Sequence, residues 1–203
     1  MWIFEKEALL NGFTAVAGVD EAGRGPLAGP VVSAAVILPP DFTCPGITDS
    51  KKLSPRAREF FYQVILDGAA GAATAIATVE EIDSLNILQA SLLSMKRAVE
   101  TLTVQPDHLL IDGKFTIDAS IPQQAVVKGD SKSISIAAAS ILAKVTRDRL
   151  MAGFHEHFPE YEFHRHKGYP TKAHRLAIAK WGPCPIHRQS FKGVKEFCPQ
   201  RNK

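Results

Sequence analysis

An α/β fold, one sheet flanked by helices, is the class this sequence predicts, and three observations carry it. Short apolar runs bounded by Gly, Pro, Asn or Asp alternate with stretches of helical spacing, the pattern of a layered α/β domain rather than an all-α or all-β one. Five of those runs have strand length. At 203 residues the chain fits one domain with room for a small appendage and can bury a sizeable core.

The elements follow in order. TAVAGVD (14–20) reads as a first strand, and PVVSAAVIL (30–38) as a second, joined by a Gly-rich turn. Ser54 has the chemistry of an N-cap and Pro55 that of a first helical position, so residues 55 to 67 are expected to be helix. GAATAIATV (71–79) is a short third strand. Asn86 and Gln89 fit a capping box, and Leu88, Leu92, Met95, Val99 and Leu102 recur at helical spacing as a core stripe. HLLID (108–112) is a fourth strand and QAVVK (124–128) a fifth. From Asp130 to about Met151 the Ala- and Ile-rich pattern predicts a helix packed on the sheet. Thr171 caps one more helix, stopped by Gly182-Pro183.

Composition narrows the class further. Hydrophobic content of 45% with 22% charged residues fits a soluble globular protein. The opening MWIFEKEALLNGF carries acids and too short an apolar run for a signal peptide, and no apolar stretch reaches spanning length. A reducing cytoplasm is therefore expected, with no membrane partner. Cys44, Cys184 and Cys198 are odd in number and argue against a disulfide framework. Cys184 and His187 with Cys198 make a poor zinc set, because known zinc spacings pair their ligands more tightly on both sides. The net charge of +3 hides an asymmetry: residues 163–203 hold ten Lys or Arg and one acid, Glu196, against fourteen bases and twenty acids before them. A basic tail beside an acidic body suits a polyanion held by the tail while cations fill the acidic site. A solvated basic surface is the competing reading.

The acidic candidates are the pair Asp20-Glu21 after AVAGV, Asp112 after HLLI, and Asp130 before the Ala-rich helix. Carboxylates are oxygen donors for hard divalent cations, and two such ions can clamp the attacking and leaving oxygens of a phosphodiester displacement. Each has a duller explanation. Neighbours in a regular strand point to opposite faces, so Asp20 and Glu21 share a site only if the strand ends or twists there. Asp112-Gly113 is a common turn pair, and Asp130 alone would read as a helix cap. Residues Gly23 to Ala28 match the G-x-G-x-x-G/A dinucleotide fingerprint literally, but that motif must open a helix, and here Pro26 and Pro30 interrupt before a strand. Arg24 between Gly23 and Gly25 instead points to backbone approaching a ligand closely. Ser50-Lys51-Lys52 offers phosphate ligands, and Tyr169 among His164, His166 and Lys167 is an aromatic amid bases, a hint of stacking on nucleic acid.

Taken together, the motifs AGVDEAGRGPLAGPVV, TDSKKLS, EIDSLNILQASLLSMKRAV, LLIDG, VVKGDSKSISIAAASILAKVTRD, HKGYPT and HRQSFKGVK closely resemble the bacterial type 2 ribonucleases H, from about Ala15 to Lys195. That resemblance implies a ribonuclease H-like, five-stranded mixed sheet flanked by helices (1–153) with a small basic C-terminal helical region (154–203). It implies that Asp20, Glu21, Asp112 and Asp130 are catalytic carboxylates holding two Mg²⁺ or Mn²⁺ ions. It implies that Gly23, Arg24 and Gly25 read the ribose 2′-hydroxyl at an RNA–DNA junction, that Tyr169 stacks on the following deoxyribose, and that Lys51 contacts phosphate. The substrates implied are RNA/DNA hybrid and duplex DNA with an embedded ribonucleotide, cut by a monomer. Lys114 departs from the Asn expected after the Asp-Gly pair, which touches only local loop contacts.

Three rivals are weighed against this. The related type 3 enzymes normally carry an extra N-terminal domain, whereas about 14 residues precede the first motif here, and their glycine loop lacks the Arg found at Arg24. A non-catalytic hybrid-binding protein is disfavoured by the complete carboxylate set. A metal-dependent DNA nuclease on the same fold is separated only by assay.

Overall fold

Gly18 explains how this fold closes. The structure, a computed structural model, describes residues 1–198, and its first strand β1 (Val16–Ala22) lies against the start of a 24-residue helix, α5 (Ile134–His157). A Cβ on Gly18 would stand 2.1 Å from the Ser135 carbonyl carbon. Only a residue without a side chain lets the helix backbone rest on the strand at this distance.

The remaining elements are α1 (Ile3–Leu10), β2 (Val31–Ile37), α2 (Pro55–Gly68), β3 (Gly71–Ala77), α3 (Val79–Leu85), α4 (Ile87–Glu100), β4 (His108–Asp112), β5 (Gln123–Val126), α6 (Phe163–His166) and α7 (Lys172–Trp181). The strands form one sheet in the order β3-β2-β1-β4-β5. β1 pairs antiparallel with β2 and parallel with β4, β2 and β3 are antiparallel, and β4 and β5 parallel, so the sheet is mixed. Alternation along the strands builds two cores. Ala34 and Val36 of β2 pack with Ile65 of α2 and Ile141 and Leu142 of α5 on one face. Ala17, Val19, Ala35 and Ile37 pack with Met95, Val99 and Leu102 on the other, below α4. The predicted stripe is thus a core stripe, with Leu88 and Leu92 half-buried at its margin. A third cluster, with Leu27, Phe163, Ile178 and Val194, fastens the segment after α5 to the loop between β1 and β2. Among the described residues no helix is long and apolar enough to cross a membrane.

Local chemistry accounts for the boundaries. Ser54 accepts from the Ala57 N–H and Thr171 from the His174 N–H, each capping its helix as expected. The capping box, however, belongs to Thr78 and Glu81, whose side chains each accept from the other's backbone N–H. It ends β3 at Ala77 and begins α3, a helix unforeseen in the sequence, as α1 was. Asn86 does cap α4, accepting from the Leu88 and Gln89 N–H groups, but Gln89 returns no bond. The long helix begins at Ile134, not Asp130, because Ser133 takes the Ile136 N–H, while Asp130 lies in a separate 3₁₀ turn, Gly129–Ser131. It also runs on to His157, through residues 153 and 154 without a break.

Candidate active site

The site grows from the C-terminal ends of two parallel strands. The register of β1 with β4 reaches Val19 opposite Ile111, so the next residues along, Asp20 and Asp112, leave neighbouring strands side by side. Strand spacing of about 4.8 Å brings both within reach of one ligand. Asp20 faces α5 and is buried, its Oδ1 accepting the Glu21 N–H at 2.6 Å. Asp112 Oδ1 accepts the Gly129 N–H at 2.6 Å. That bond draws the turn carrying Asp130, also buried, onto the end of β4. Lys51 Nζ stands 3.8 Å from Asp130 Oδ2, and Arg24 Nη1 is 3.4 Å from Glu21 Oε1. β1 does not end at the acidic pair, since it continues through Ala22.

Electrostatics ties the four carboxylates together. Burial, then the charges of Glu21 and Asp112, push Asp20 well above the usual carboxylate range. Glu21 is raised by burial and by Asp112, with Arg24 and Lys51 pulling the other way. Asp130 is raised by burial, Asp49 and Asp112, and opposed by Lys51. Burial lowers Lys51, but the Asp20, Asp130, Asp49 and Asp112 charges outweigh it and raise that lysine. Like charges held this close favour protonation or a cation. Every donor in the set is a carboxylate oxygen, the chemistry of a hard divalent ion rather than of zinc in a thiolate site. Among the described residues no three His, Cys, Asp or Glu side chains form a ready-made metal cage.

Beside the carboxylates lies the loop from Gly23 to Pro30. Gly23 has φ +104°, and a Cβ there would meet Arg147 Nε at 2.1 Å, so the position requires glycine. Two arginines hold this loop from beneath. Arg188 donates five hydrogen bonds, at 2.6 to 3.0 Å, to the carbonyls of Gly23, Arg24, Pro26 and Gly29. Arg147 donates to Pro30, Lys167 and Ala28. Both are fully buried. Burial, helped at Arg188 by the neighbouring Arg147 charge, lowers Arg188 to about 9 and Arg147 to about 10, so both stay cationic at neutral pH. Capturing carbonyls from below leaves the Gly23, Arg24 and Gly25 amides to face a ligand, while the Leu27 and Gly29 amides donate to the Gly168 and Ile186 carbonyls. A Cβ on Gly25 would lie 3.7 Å from Cε1 of Tyr169, so the half-exposed ring stands directly beside the loop. Tyr169 also walls an open groove of about 620 Å³ lined by Arg58, Lys144, Arg149 and Lys167.

A protein-family model described as Ribonuclease HII matches residues 17–194. The chain belongs to the ribonuclease HII family. Ribonuclease HII of Geobacter metallireducens is 57% identical over 196 residues, 97% of this chain and 92% of the relative. That of Syntrophotalea carbinolica is 52% identical over 194 residues, covering 96% and 93%. Among solved structures, ribonuclease H2 from Pyrococcus horikoshii OT3 superposes with a TM-score of 0.76 at 27% identity, over 91% of this chain and 97% of that one. Membership makes the chain a ribonuclease H endonuclease, a hydrolase acting on nucleic acid, and the mixed sheet with its helices is the ribonuclease H-like fold.

Within this ribonuclease HII the structure brings together Asp20, Glu21, Asp112, Asp130 and Lys51, and sets Gly23, Arg24 and Gly25 beside Tyr169. Sequence reasoning missed four supporting residues. Asp49 adds negative charge next to Asp130 and accepts the Lys51 N–H. Ser140 of α5 lowers the Asp20 pKa against the larger effect of burial, its hydroxyl standing 3.0 Å from that of Ser50. Asp49 sits in the TDSKKLS motif, which was its only signal; an Ala-rich helix hides Ser140 among packing residues. Arg188 was counted only as one base of the C-terminal stretch and Arg147 was not singled out, yet both are buried. Arg201 and Lys203 of that stretch lie outside the described residues. The rejected zinc set stays rejected: Cys184 contacts His187, but Cys198 Sγ donates to the Val194 carbonyl.

Proposed function

We propose that this ribonuclease HII cleaves the RNA strand of RNA/DNA hybrids and cuts duplex DNA on the 5′ side of an embedded ribonucleotide, leaving 3′-hydroxyl and 5′-phosphate ends. The observation that carries the junction reading is the Tyr169 ring standing against Gly25, one loop away from the carboxylate pair. Glycine backbone with outward amides can approach a ribose 2′-hydroxyl, the group that distinguishes RNA from DNA. An aromatic ring beside it can stack on the next, deoxy, sugar. Asp20, Glu21, Asp112 and Asp130 would hold two Mg²⁺ or Mn²⁺ ions, which when bound supply an activated water, a stabilised 3′-oxygen leaving group and neutralised phosphate charge. Lys51, exposed beside Asp130, reaches for the phosphate. Arg24 restrains Glu21. Such an enzyme, working as a cytoplasmic monomer, suits the excision of ribonucleotides misincorporated into DNA.

The test compares all-DNA, all-RNA, continuous hybrid and single-ribonucleotide duplexes in Mg²⁺ and in Mn²⁺. The last two are expected to be cut, the single-ribonucleotide duplex on its 5′ side. Tyr169→Ala is expected to lose most activity on the single ribonucleotide, stacking being worth about 1–3 kcal/mol, and to lose less on continuous hybrid. No cleavage of the single-ribonucleotide duplex by the intact protein would overturn the reading.

A further inference from the structure

Behind Tyr169 runs a chain of hydrogen bonds whose direction is set at both ends. The Cys184 backbone N–H can only donate, and it meets His187 Nδ1 at 2.9 Å. The Tyr169 carbonyl can only accept, and it lies 3.0 Å from His174 Nδ1. Between them, His187 Nε2 and His174 Nε2 are 3.0 Å apart. One proton arrangement satisfies all three links. His187 carries its proton on Nε2 and donates it to the bare Nε2 of His174. His174 carries its own on Nδ1 and donates it to Tyr169. Both rings must then be neutral. Their burial agrees with this, holding each pKa down to about 4.

The far end of the chain is tied to the glycine loop. His187 bridges to Ala28, and its neighbour Arg188 grips the Gly23, Arg24, Pro26 and Gly29 carbonyls. The near end carries Tyr169, whose ring abuts Gly25. One continuous run of bonds therefore spans from the loop to the backbone carbonyl of Tyr169, which also accepts the Thr171 N–H at 2.8 Å. We infer that His187 and His174 are positioning residues that hold Tyr169 in register with the Gly23–Gly25 loop, and so set the enzyme's preference for a ribose followed by a deoxyribose. This rests on the junction reading of Tyr169 and the loop proposed above. A neutral pair suits the task, because a second proton on either ring would put two donors face to face and break a link.

His174→Phe tests it, keeping an aromatic ring against Phe163 and His166 while removing both of its bonds. The readout is the ratio of kcat/KM on the single-ribonucleotide duplex to that on continuous hybrid. That ratio is expected to fall by about threefold to tenfold, the worth of one positioning hydrogen bond. His174→Asn, whose amide can still donate to the Tyr169 carbonyl, is expected to recover part of it. In a Tyr169→Ala background His174→Phe should leave the ratio unmoved. Ring ¹⁵N shifts at neutral pH should report a neutral Nδ1–H tautomer for His174 and a neutral Nε2–H tautomer for His187, a measurement that stands even where His174→Phe folds poorly. Equal losses on both substrates, the same fall in the Tyr169→Ala background, or the opposite tautomers would each overturn the inference. If Tyr169→Ala shifts the ratio but His174→Phe does not, the relay alone falls. If Tyr169→Ala does not shift it either, the junction reading falls and takes the relay with it.

Discussion

Asp20 is a carboxylate whose surroundings oppose its own charge. Its pKa is raised by burial and by Glu21 and Asp112, so the folded state binds its proton more tightly than the unfolded chain does. Stability then falls as pH rises from the ordinary carboxylate range through the raised value, and is regained in the reverse direction. A bound cation removes the conflict. In chelator at neutral pH, Asp20→Asn is therefore expected to melt higher than the parent, by roughly 2–4 °C for each kcal/mol of relieved repulsion in a domain of this size. Adding Mn²⁺ should raise the parent's Tm and that of Asp20→Asn much less. Cleavage moves the other way. Asp20→Asn, Glu21→Gln and Asp112→Asn should each abolish turnover while hybrid binding largely survives, since shape is kept and only a charged ligand is lost. Near-normal turnover by Asp20→Asn in Mg²⁺ would sink the ligand assignment.

At the scale of elements, the site depends on how closely α5 lies on β1. Gly18 permits that approach, and α5 brings Ser140 to Asp20 and Arg147 to the loop. Gly18→Ala would force a Cβ into the helix backbone, a collision no rotamer can relieve. The expected cost is on the order of 3 kcal/mol, the upper part of the overpacking range, or roughly 6–12 °C in Tm, read by thermal denaturation. A Tm within a degree of the parent would mean that the helix can lift off freely. This packing was illegible beforehand. AVAGV marks a strand by its apolar run, but nothing in it says which neighbour needs the missing side chain. Capping shows the same limit: Thr78-Val-Glu-Glu81 and Asn86-Ile-Leu-Gln89 look alike as strings, and only the Thr78 side has the geometry for a reciprocal bond.

For the whole molecule, the uneven charge is a statement about substrate handling. The acidic end of the sheet repels phosphate until cations neutralise it, while exposed bases beyond Phe163 offer a counter-charge. Lys192 and Lys195 are exposed, unlike Arg188. Replacing both by Ala should weaken binding of every duplex alike and flatten the salt dependence by up to about 0.9 in log–log slope for each lost phosphate contact. Sugar preference should stay as it was, because these side chains carry no contact to the loop or to Tyr169. A salt slope equal to the parent's, measured by titration at several salt concentrations, would mean that the two lysines are merely solvated.

The chain by itself was sufficient for the α/β class, the five strands and the residue types at the acidic cluster, because apolar periodicity, helix caps and carboxylates at strand ends are local properties. Its long motifs also carried the family. What only the tertiary structure decided is which groups meet. Asp20 and Asp112 stand 92 positions apart and become neighbours through a parallel register, and the Asp130 turn joins them through one Gly129 N–H. The bases of the C-terminal stretch divide in the same way: Lys192 stays in water, while Arg188 is drawn inside to hold carbonyls 159 to 165 positions upstream. Charge is written in the sequence, but burial, which sets what a charge does, comes from contacts between distant segments.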